Sequence, residues 1–171
     1  MKKLKILVVD DNQKHLDSAL ATLKDHNVTI CNNYDEAVNL LEGQYVDPKG
    51  KSCYSFEEGA KALPYWDAVL CDLLMPAGEN EQGPRGMRYV GQEMPVGWAL
   101  ALSAAFKGAK YVAVVTDMNH HNHPASALLD GLKGKVIKVE GAKVLMTNNP
   151  RFIGVGGAKD WGMVLQKIID K

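Results

Sequence analysis

Three short runs of this chain end an apolar stretch in oxygen-bearing side chains. "KILVVDDN" (5–12) delivers Asp10 and Asp11, "WDAVLCDLLMP" (66–76) delivers Asp72, and "YVAVVTD" (111–117) delivers Thr116 and Asp117. Three carboxylates brought to one place repel one another unless a cation, a proton or a lysine compensates. Oxygen-only ligands suit Mg²⁺, which keeps several of its waters. An aspartate beside such an ion is a nucleophile able to accept a phosphoryl group, because the metal neutralises charge that develops during transfer. The plainer reading is that each aspartate ends a strand and caps the next element, which does not account for all three together with Thr116. A second cluster lies in "DMNHHNHP" (117–124). His120, His121 and His123, with Asp117, have the residue types of a zinc-like site for a transition metal. A solvated polar loop and a pH-sensitive loop are the other readings of that run.

Whether these groups meet depends on the elements that carry them. "LKILVVD" (4–10), "WDAVLCD" (66–72) and "AKYVAVVTD" (109–117) are continuous apolar runs, the pattern of strands buried on both faces. "VTICNN" (28–33) reads as a short strand, and "KVIKVEGAKVLMTN" (135–148) as a hairpin or an irregular entry into a fifth strand, "KVLMTN". Between them, 12–26, 34–44, 96–108 and 158–170 have helical apolar spacing, with Asn12 a suitable N-cap. A short helix is predicted after Pro124. Residues 45–64 read as a surface loop with one helical turn around "FEEGAKAL", and 76–95 as a long Gly- and Pro-rich loop. Strands alternating with helices predict an α/β fold: a doubly wound, five-stranded parallel sheet in a three-layer sandwich. Right-handed crossovers then bring the strand C-terminal ends to one edge, so Asp10, Asp11, Asp72, Thr116, Asp117, Thr147, Asn148 and Asn149 are expected there together.

These motifs resemble the receiver domain of two-component response regulators, a flavodoxin-like or CheY-like fold. The likeness covers the core elements from residue 4 to the end, interrupted by insertions at about 45–64 and 77–95 of a single domain. It implies that Asp72 is the phosphoacceptor and that Mg²⁺ is held by Asp11 directly, Asp10 through water, Asp72, and the Leu74 backbone carbonyl. It makes Thr116 the switch hydroxyl. The chain departs from the family in three places. Asn148 or Asn149 stands where a lysine is expected after the fifth strand. Asp117 follows the switch threonine where the family has a small residue. Leu145 or a neighbour replaces the aromatic residue usual on the fifth strand.

The resemblance implies a stand-alone cytoplasmic module of phosphorelay signal transduction, a monomer or weak dimer. Its partner would be a sensor histidine kinase or another signalling protein. It implies a signalling role more than an enzymatic one. Two alternatives remain: a pseudo-receiver that binds partners without taking phosphate, and a metal-dependent enzyme using the acidic residues, the histidine run and 77–95 as a lid. The balance of charge, 20 basic against 20 acidic residues, argues against a nucleic-acid surface. No run is long enough to span a bilayer, and the apolar N-terminal run stops too soon for a signal peptide. Cys31, Cys53 and Cys71 are scattered, as in a reducing compartment. The glycines of "GVGGAKDW" (154–161) read as a turn rather than a phosphate loop, and Trp66, Trp98 and Trp161 as packing residues.

Overall fold

A computed structural model describes residues 2–42, 45–46, 52–53, 61–62, 65–80 and 83–171. Strand β1 (Lys5–Val9) leads into helix α1 (Gln13–Thr22), whose first turn is capped by Asn12 accepting from the Lys14 N–H. Strand β2 (Asn27–Cys31) and helix α2 (Tyr34–Leu41) follow, then β3 (Ala68–Asp72) and α3 (Gly97–Phe106). After β4 (Tyr111–Val115), Pro124 opens the short helix α4 (Pro124–Leu129), as a fixed φ favours. The hairpin β5 (Val136–Val139) and β6 (Ala142–Thr147) precedes the closing helix α5 (Trp161–Ile169).

The sheet order is β5-β6-β4-β3-β1-β2. Its five parallel strands, counted along the chain, run 2-1-3-4-5, the flavodoxin-like order. The doubly wound expectation holds, with one correction: the sheet has six strands, because β5 joins antiparallel at the edge through Val136↔Leu145 and Val139↔Ala142. The cause is the Glu140–Gly141 turn, where both residues have positive φ, as a two-residue hairpin loop requires.

Period-two alternation sends the strand side chains to two cores. Leu7, Val9, Val69, Cys71, Val112 and Val114 pack with α2, α3 and α4. Ile6, Val8, Leu70, Ala113, Val115 and Leu145 pack with α1 and α5, including the fully buried Trp161. Trp66 is buried as well.

The long loop expected over 76–95 is more ordered than that. Met75–Pro76 pairs antiparallel with Glu93–Met94, and Ala77 bridges Val90, so the excursion closes at its base. Most of the helical turn expected around 56–63 lies outside the described residues; Lys61 and Ala62 within it form a short strand pairing with Tyr45–Val46. No helix among the described residues is long and apolar enough to cross a membrane.

Candidate functional site

Parallel pairing puts the tips of β1, β3 and β4 side by side, Val9 opposite Cys71 and Asp72 opposite Val115. The residues immediately beyond or at those tips are Asp10, Asp72 and Thr116, and all three are buried. Asp11 is exposed beside them, and ligand atoms of Asp10, Asp11 and Asp72 all lie within 4.8 Å of one another. Helix α3 begins hard against β3: a Cβ on Gly97 would stand 2.0 Å from the Asp72 carbonyl oxygen. Only glycine lets the backbones approach so closely.

A cation already sits in this acidic site. The Lys159 ammonium donates to Asp10 Oδ2 at 2.7 Å and lies 2.8 Å from Asp72 Oδ1, with the lysine fully buried. The other Asp10 oxygen accepts the Asn12 N–H at 2.9 Å, and Asp72 Oδ1 also accepts the Leu73 N–H at 2.7 Å. Burial disfavours charge on Lys159, yet the two carboxylates outweigh it and hold the ammonium above its ordinary range. Burial raises Asp72 to about 7; Lys159 opposes that rise and Asp10 adds to it. Burial and then Asp10 also raise Asp11.

Lys159 is the site residue that sequence reasoning missed. The family pattern places a lysine directly after the last parallel strand, and there the chain has Asn148 and Asn149. Asn148 does not take that role: its amide turns away to the Ser126 carbonyl at 3.1 Å and to Asp130 Oδ1 at 2.9 Å. Asn149 caps the next turn by accepting the Arg151 N–H. The chain instead runs through an excursion over 148–160 that folds back on itself. Phe152 anchors it in the core, the Asp160 N–H donates to the Phe152 carbonyl at 2.7 Å, and Ile153 bridges Lys159. The glycines read as a turn are part of it, with Gly156 and Gly157 at positive φ. The only available signal was a lysine just before the closing amphipathic helix.

Thr116 lies at the same edge, its hydroxyl oxygen accepting the Met118 N–H at 3.0 Å. Asp117 turns to helix α1, where its Oδ2 meets His15 Nε2 at 3.2 Å. That hydrogen bond, more than any other influence, holds the Asp117 carboxyl at about 2. Asp11, Asp72, Leu74, Glu93, Thr116 and Asp117 line a cavity of about 420 Å³, so the 77–95 excursion contributes one carboxylate to its wall.

The histidine run does not converge as a four-residue metal site. His123 caps α4 by accepting the Ala125 N–H, and Asp117 is engaged by His15. His120 pairs with Asp130 and His121. Among the described residues, the group of three or more ligating side chains that meets is the acidic one.

No family model matches the chain, and no curated protein is similar to it. Among solved structures it is similar to the "BeF3 Activated DrrB Receiver Domain", with 14% identity and a TM-score of 0.48 over 99% of this chain and 100% of that one. The fold assignment rests on the strand order and on the helices that cover both faces of the sheet.

The all-oxygen set fits Mg²⁺ by donor chemistry. Asp10 has both oxygens engaged, whereas Asp11 is exposed at the cavity and Leu74 lines it.

Proposed function

We propose that this protein is a receiver-like signalling module that accepts a phosphoryl group on Asp72. The observation that carries this reading is the buried Lys159 ammonium between Asp10 and Asp72. It supplies the cation that the residues after the last parallel strand lack. In the reaction, an Asp72 carboxylate oxygen attacks phosphorus of a phosphodonor and forms an acyl phosphate. The bond from phosphorus to the leaving group breaks, and the leaving group departs with its electron pair. Lys159 offsets charge on the transferred group, since a preplaced cation in a buried site costs little reorganisation. The Thr116 hydroxyl accepts from Met118 and keeps its own proton for donation to a phosphoryl oxygen. Asp11, Asp72 and the Leu74 carbonyl would hold Mg²⁺, with Asp10 acting from behind them. When bound, that ion neutralises phosphoryl charge.

On this reading the module works in the cytoplasm by contact with a sensor histidine kinase or another signalling protein. One observation favours a second reading. Asp11, Glu93 and Asp117 all line the cavity mouth, and such a wall repels an anionic donor. A pseudo-receiver would keep the fold and bind partners without phosphate.

Incubation with acetyl phosphate and Mg²⁺, followed by intact mass, separates the two. A gain of one phosphoryl group on the wild type and none on Asp72→Asn is the expected result. No gain on folded wild type with Mg²⁺ present would overturn phosphoryl acceptance and leave the pseudo-receiver.

A further inference from the structure

Lys159 reaches the acidic site from the far side of a loop that contains two left-handed glycines. The Asp160 N–H bond to the Phe152 carbonyl closes that loop, and the chain enters the buried Trp161 two residues on, which leaves the Lys159 peptide groups themselves to be held. Helix α1 holds them at both ends of the residue. The Lys159 N–H donates to His15 Nδ1 at 3.1 Å, and the Ser18 hydroxyl donates to the Lys159 carbonyl at 2.7 Å. His15 is itself fixed, because the Trp161 indole donates to its carbonyl at 2.9 Å and its side chain is buried. Since Nδ1 accepts, the proton of the neutral ring is on Nε2. That N–H points at Asp117 Oδ2, 3.2 Å away. One buried imidazole thus ties the lysine loop to the segment that begins with Thr116.

We propose that His15 is the positioning residue of the site: its Nδ1 holds Lys159 between Asp10 and Asp72, while its Nε2–H holds the Asp117 carboxylate against helix α1. The role rests on the phosphoacceptor reading for its purpose, though not for its geometry. Ser18 secures the carbonyl side of Lys159 and leaves the N–H side to His15 alone. The two ring nitrogens have separate tasks, and two amide side chains imitate them separately. Asparagine places its side-chain oxygen where Nδ1 stood and keeps the Lys159 bond. Glutamine places its amide nitrogen near Nε2 and keeps the Asp117 bond. Leucine keeps neither.

The test reads Lys159 directly. Full-length wild type, His15→Asn, His15→Gln and His15→Leu are labelled with an amine-acylating reagent, and Lys159 is quantified by peptide mass spectrometry. Alkylation of the fully buried Cys71 in the same samples reports global opening. His15→Leu and His15→Gln are expected to speed Lys159 labelling at least tenfold relative to Cys71, and His15→Asn to stay within threefold of wild type. Phosphoryl gain from acetyl phosphate should fall in the same order. Equal acceleration of Lys159 and Cys71 would show that His15 only stabilises the fold, and unchanged labelling in His15→Leu would remove its role altogether. If wild type takes no phosphate while the labelling order holds, the phosphoacceptor reading fails and the positioning role stands.

Discussion

Asp72 sets the pH behaviour of the site. Burial raises its carboxyl to about 7, well above the roughly 3.9 of an unfolded chain. A raised folded-state pKa means that the folded protein holds this proton more tightly. The stability it contributes is therefore full below about pH 4, declines as pH rises, and is lost above about 7. Asp72→Asn stays neutral throughout and escapes that loss. We expect the stability of the variant relative to wild type to be higher at pH 8 than at pH 5, by on the order of 2 kcal/mol. Urea unfolding of both proteins at the two pH values checks this. An equal difference between variant and wild type at the two pH values would mean that Lys159 cancels the effect of burial. Asp117 has the opposite sign: its carboxyl lies at about 2, held there chiefly by His15, so its contribution is present at neutral pH and lost as pH falls through 2.

At the scale of elements, the hairpin β5–β6 is the part of the sheet that the chain builds least comfortably. Its two-residue turn needs positive φ at both positions, and Glu140 adopts φ 48° beside Gly141 at 85°. A side chain with a Cβ is disfavoured there, and asparagine is tolerated far better than glutamate. Glu140→Asn should raise stability by about 0.5–1 kcal/mol in chemical denaturation with an unchanged slope. A loss would show that Glu140 makes a contact more valuable than the turn geometry. The hairpin matters to the site because β6 leads into Asn148, Asn149 and the excursion that ends at Lys159. The opposite case is Gly97, where the close approach of α3 to the Asp72 carbonyl leaves no room for any side chain.

At the scale of the whole molecule, the acidic site is stored electrostatic strain. Three aspartates meet at the sheet edge, and one lysine pairs with two of them, Asp10 and Asp72. A cation that binds only the folded state adds stability according to its concentration over its dissociation constant. Ten times that constant gives about 1.4 kcal/mol, or about 3–6 °C in a chain of this length. Thermal unfolding with and without Mg²⁺ should show that rise for wild type and lose it in Asp11→Asn. A wild-type midpoint indifferent to Mg²⁺ would remove the metal from the proposal.

Local pattern alone determined a good deal of this. Buried β-branched runs and helical spacing located the parallel strands, and right-handed crossovers required their ends to share an edge. Asp10, Asp11, Asp72 and Thr116 were therefore legible as neighbours. The hairpin around Glu140–Gly141 was legible as one of two options, and the structure chose it by adding an antiparallel edge strand. Lys159 was not legible, nor was the turn of Asn148 away from the site. Asp10 and Lys159 stand 149 positions apart. Their meeting depends on how an irregular loop folds back, and no periodicity encodes that. His15 carries no such signal either: within the 12–26 run it is one polar position, and its contacts to Lys159 and Asp117 lie 144 and 102 residues away. Strand periodicity repeats every two residues and shows in a short window; the placement of a loop lysine is a sum of single long-range bonds, which only the folded chain brings together.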